Sequence, residues 1–123
     1  MGFFGDLKAS RLWAKSLTAH DAEDFDEAVR LLEKMASMRP LKAFEMARLG
    51  TNYVSAGRSD AARPLFEAAR ERTAGKAEGT PAYINRYCDF YLRLLEGEVA
   101  EKDIDCICEI RCSRSVKRWL PLR

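Results

Sequence analysis

The sequence predicts an all-α fold of stacked antiparallel helical hairpins, with about 5–7 helices in a single domain over residues 1–123. Three observations carry that prediction. Apolar residues recur every three or four positions along most of the chain, the period of a helix with one buried side. Pro40, Gly57 and the run AGKAEGTP at 74–81 break that period where short connections are needed. The chain also matches itself when shifted by 34 residues, the length of two helices and two turns.

Taken in order, residues 6–20 place Leu7, Ala14 and Leu17 at helical spacing, with Lys8, Arg11 and Lys15 on another side. In the next segment Asp24 is suited to cap a helix, and Glu27 three residues on completes a capping box. Phe25, Ala28, Leu32 and Met35 then form one apolar stripe, and Pro40 ends the helix because the residue before proline disfavours helical dihedrals. A third helix covers residues 41–56 and stops at Gly57, which tolerates a positive φ. Ser59 or Asp60 caps a fourth, with Pro64 near its first turn. A fifth starts at Pro81 and is apolar on more than one side. Residues 104–112, IDCICEIRC, fit either a strand or a helix; the helical context favours the helix.

The 34-residue shift sets Leu12 on Met46, Ala19 on Tyr53, Ala28 on Ala62, Leu32 on Phe66 and Met35 on Ala69; a further shift sets Tyr53 on Tyr87. Two helices approach closely only where one supplies a small residue, here Gly50 and Ala62, with Tyr53 and Phe66 filling the flanking space. Each hairpin keeps one apolar face that only a neighbouring hairpin can cover.

Leu49-Gly50-x-x-Tyr53 followed by Gly57, Ala62, Phe66 and Ala69 resembles a tetratricopeptide repeat over about 43–76, with weaker copies over about 9–42 and 77–110 and a basic cap over 111–123. The resemblance implies a TPR-like α-solenoid that is not an enzyme and needs no cofactor. It also implies a groove, lined by the first helix of each hairpin, that holds a peptide or a partner helix. The inner positions would be Trp13 and Leu17, then Phe44, Ala47, Thr51 and Val54, then Asn85 and Cys88, flanked by Arg48 and Arg86. Ala47 and Thr51 stand at two of the places where carboxylate-clamping members carry polar residues, so that activity is not carried over. The plainer alternative is that Trp13, Phe44 and Val54 are core, as apolar stripes at helical spacing usually are.

Composition bounds the partners. With 47% apolar residues the chain has enough to build a core, which excludes a disordered tail. Residues 21–110 hold 13 basic and 18 acidic groups, whereas 111–123 hold five basic groups and no acid. An acidic body argues against nucleic acid as a partner. No apolar run is long enough for a membrane span, and the first residues lack the apolar stretch of a secretory signal. Asp6 stands where an acylation motif at Gly2 needs Ser or Thr. The expected compartment is cytoplasmic, with reduced thiols.

Other chemistry is sparse. Cys106, Cys108 and Cys112, with Cys88 as a fourth ligand, have the donor type for zinc or copper(I), but not the spacing of paired zinc knuckles, and no histidine is near. Small apolar residues filling a tight contact explain them as well. His20, the sole histidine, has no recognisable catalytic partner and reads as a solvated loop residue. No phosphate-binding glycine loop occurs. No catalytic residue and no metal site is therefore assigned. In the tail, Arg111, Arg114, Lys117 and Arg118 surround Trp119; Val116, Trp119 and Leu122 read best as a cap on the last hairpin. The leading functional expectation is a small protein–protein interaction module. The alternatives are a structural subunit that self-associates weakly through the Trp119 tail, and a cysteine-based metal or redox protein.

Overall fold

The structure, a computed structural model, describes residues 3–76 and 78–97, with side chains from residue 7. These form α1 (Phe3–Asp21), α2 (Phe25–Met38), α3 (Ala43–Ser55), α4 (Ser59–Arg72) and α5 (Gly79–Leu95), with no strand among the described residues. The ambiguous segment 104–112, most of the second half of the third unit and the basic cap lie outside them.

Local signals set the helix ends. Asp24 Oδ1 accepts the Glu27 backbone N–H at 3.3 Å, so the cap of α2 forms. The reciprocal half of the expected capping box does not: the Glu27 carboxylate turns to Arg30, at 2.6 and 2.8 Å. Gly57 ends α3 with φ +81°, and the Arg58 N–H returns to the Tyr53 carbonyl at 2.7 Å, closing the terminal turn. Pro64 sits one turn deeper in α4 than expected and is exposed, and the helix runs on through it. α5 begins at Gly79 rather than Pro81.

Helices adjacent in the chain pack on one another, and α3 also touches α5. The contacts give their directions. Arg72 near the end of α4 donates to the Leu41 carbonyl before α3 at 2.8 Å, while Arg63 near the start of α4 meets Glu96 after α5 at 3.3 Å. Helices α3, α4 and α5 therefore alternate in direction. Between α2 and α3 the connection is fastened by a buried ion pair. Arg39 holds both Glu45 carboxylate oxygens, at 2.8 and 2.7 Å, and the Lys42 N–H donates to the same carboxylate at 2.8 Å. Burial alone would raise the Glu45 pKa; Arg39 and the Lys42 N–H outweigh it and hold the carboxyl below its ordinary range.

The buried positions follow the 34-residue register. Ala28 and Ala62, Leu32 and Phe66, and Met35 and Ala69 are each fully buried, and Ser16, Gly50 and Ile84 are all inside as well. The inward stripe of α1 differs from the one expected. It is Ala9, Leu12, Ser16 and Ala19, whereas Leu7 is 39% exposed and Ala14 faces outward.

Gly50 does more than permit an approach of α3 to Ala62. A methyl group at Gly50 would fall 2.8 Å from Cζ and 2.9 Å from Cε1 of Phe66, so the aromatic ring itself is seated on the glycine. The same ring stacks on Tyr91, with centroids 4.9 Å apart and planes inclined by 13°. Both side chains are fully buried, which leaves the ring little room to retreat. Gly50→Ala should therefore destabilise the fold by about 1–3 kcal/mol through overpacking, offset in part by the roughly 1 kcal/mol that alanine gains over glycine in a helix. Combining it with Phe66→Leu should give less than the sum of the two single losses, measured by urea denaturation. Strict additivity would show that the two residues do not press on each other.

Candidate partner-binding face

Three side-chain contacts link α1 to α3 and α3 to α5. Trp13 meets Phe44 edge to face, with centroids 5.2 Å apart and planes at 89°. His20 Nδ1 lies 2.8 Å from Asn52 Oδ1. The Thr51 hydroxyl lies 2.6 Å from the Tyr87 hydroxyl. The partners in these contacts are 31 to 36 positions apart in the chain.

The predicted groove residues separate into two groups. Trp13 is half-buried, Phe44 is 41% exposed, Arg48 is half-buried and Arg86 is exposed. These reach the surface. Phe44 and Arg48 are one turn apart and share one side of α3. Thr51 is fully buried, its hydroxyl held by the Ala47 carbonyl at 2.9 Å and by Tyr87. It supports the face from below and is not part of its surface. Ala47, Val54 and Cys88 are likewise core, while Leu17 is half-buried. Asn85 points elsewhere: its amide donates to the Arg70 carbonyl at 2.9 Å and to Thr73 Oγ1 at 3.3 Å, so it joins α5 to α4. With Glu67, Arg70, Glu71, Ala74 and Gly75 it borders a shallow depression on that side.

Sequence reasoning passed over Tyr83 and Tyr87 as members of this region. They stand one turn apart on α5 with centroids 6.0 Å apart, and Tyr87 continues to Tyr91 at 5.0 Å. Their spacing of four was the available signal. Arg48 is the charged group of the α3 strip. Its guanidinium is close enough to His20 and Tyr87 for its charge to oppose protonation of the one and favour ionisation of the other. Among the described residues no carboxylate forms an ion pair with it.

His20 corrects an expectation. It is not a solvated loop residue but sits in the last turn of α1, half-buried, with its ring edge-on to Phe25 at 5.4 Å. Asn52 is fully buried and spends its amide N–H on the Arg48 carbonyl at 2.9 Å, which turns Oδ1 toward the imidazole. Nδ1–H is then the donor. Burial lowers the imidazole pKa below its ordinary 6.5; Arg48 pushes the same way, and the Asn52 bond, Asp21 and Glu23 oppose them less strongly.

Cys88 is fully buried, and burial pushes its thiol up to about 12, which leaves it a poor metal ligand or nucleophile at neutral pH. Cys106, Cys108, Cys112 and Trp119 lie outside the described residues. Among the described residues no three His, Cys, Asp or Glu side chains gather as metal ligands, and no helix is long and apolar enough to cross a membrane.

A base whose pKa is lowered by folding takes up fewer protons folded than unfolded, so its stabilisation is complete above 6.5 and is lost as pH falls below it. Urea denaturation between pH 5 and 8 should show stability declining through that window, and His20→Gln should flatten the decline. An identical slope in the variant would place the proton uptake elsewhere. Comparison of the chain with family models, curated proteins and solved structures finds no match.

Proposed function

We propose that this chain is a small, non-catalytic protein–protein interaction module, a TPR-like stack of helical hairpins. It receives a peptide or a partner helix on the face formed by α1, α3 and α5. Support for the stack comes from the recurrence of buried positions at 34 residues and from the cross-contacts between first helices. Trp13–Phe44, His20–Asn52 and Thr51–Tyr87 all pair residues about one repeat apart.

The observation that carries the docking reading is Phe44. A phenylalanine 41% exposed, held edge-on by a half-buried tryptophan, leaves a rigid apolar surface in water. Aromatic pairs of this kind are the usual anchors of protein contacts, because they bury much area at little cost in side-chain entropy. The part of the Phe44 ring that Trp13 does not meet is open to a guest side chain.

Peptides selected from a random display library on the full chain provide the test. Phe44→Ala and Trp13→Ala should each weaken the selected peptides by about tenfold or more, as loss of an interface anchor does. Lys34→Ala, on the exposed side of α2, should leave them unchanged. Peptides indifferent to Phe44 and Trp13 but weakened by Lys34→Ala would move the site to another surface.

A further inference from the structure

We infer that the guest of this face is an acidic peptide segment, one that places a carboxylate on Arg48 and an apolar side chain against Trp13 and Phe44. This deepens the docking reading and rests on it.

Arg48 is the deciding residue. It is half-buried, one turn from Phe44 on the same side of α3, and close enough to His20 of α1 and Tyr87 of α5 for its charge to act on both. A cation on a partly buried side chain gains from an anion or a set of acceptors placed beside it. The neighbouring carboxylates are engaged elsewhere: Glu45 is held by Arg39, Asp89 by Arg70, and Glu33 by Tyr53 and Arg58. Asp21 and Glu23 act on the imidazole of His20 from the α1–α2 turn. The other named cation of the face, Arg86, is exposed on α5. The face thus presents an aromatic pair beside a cation with no intramolecular carboxylate among the described residues. The complementary guest carries negative charge next to an apolar anchor. A basic guest would meet Arg48 with like charge, and a purely apolar one would bury its guanidinium without a counter-charge. Arg48 is also suited to the task because a guanidinium offers a carboxylate two parallel hydrogen bonds.

Four short fluorescein-labelled peptides test this on the full-length chain by anisotropy. One has a Leu-Trp pair flanked by glutamates. Two replace the glutamates by glutamines or by lysines. The last keeps the glutamates and replaces Leu-Trp by Gly-Ser. The Glu/Leu-Trp peptide should bind about tenfold more tightly than its glutamine twin and lose that advantage as salt is raised. Arg48→Gln should erase the difference between those two peptides while Phe44→Ala weakens both; circular dichroism of each variant reports whether the helices persist. If the glutamine or lysine peptide binds as tightly as the glutamate peptide, the charge inference falls and the docking face stands. If the Gly-Ser peptide binds equally well, the apolar anchor is refuted. If none of the four binds, the docking reading falls with the inference.

Discussion

The fold turns on a single close contact, the Phe66 ring seated on the backbone of α3 at Gly50. Because Gly50 lacks a Cβ, α4 can approach α3 until the ring fills the space a side chain would have taken. The same ring stacks on Tyr91, which brings α5 into place. Tyr91 leads to Tyr87, and Tyr87 returns to α3 through Thr51. One missing methyl group therefore sets the relation of three helices and, through them, where the surface aromatics stand.

Polar contacts add register to this apolar frame. Arg39 and Glu45 fasten the turn between α2 and α3; Tyr53, Glu33 and Arg58 tie the end of α3 to α2, with Arg58 lying 4.7 Å over the Tyr53 ring. His20 and Asn52 do the same between α1 and α3. The energetic return on a buried ion pair is small, because desolvation cancels much of the attraction. Its structural effect is larger, since sliding one helix along the next would strand a charge or a buried amide. The apolar stripes, rich in alanine and leucine, would tolerate such sliding much better.

Much of the helical layout was legible in the sequence because its causes are local. Asp24, Pro40 and Gly57 act on their own backbone or their neighbours', so the ends of α2 and α3 could be placed to within a few residues. The small-residue positions Gly50 and Ala62 also signalled a close contact, although not that Phe66 itself occupies it. What could not be read depends on rotation about a helix axis. On α1 two apolar stripes compete, and only the presence of α2 decides for Ala9, Leu12, Ser16 and Ala19. On α5 the same uncertainty placed Asn85 on the inner face, when α4 draws its amide the other way. Of the residues that the repeat resemblance put on the inner face, Trp13, Phe44, Arg48 and Arg86 reach the surface. Thr51 does not, because Tyr87, its partner across the helices, covers it.

Cys88 gives the α4–α5 joint a chemical clock. Its sulfur is sealed between the helices and held as the neutral thiol, so oxidants and alkylating reagents reach it only when the joint parts. The rate at which that one atom is consumed thus counts the openings of α5, and a guest that clamps the helices together would slow the count even if it never came near the sulfur.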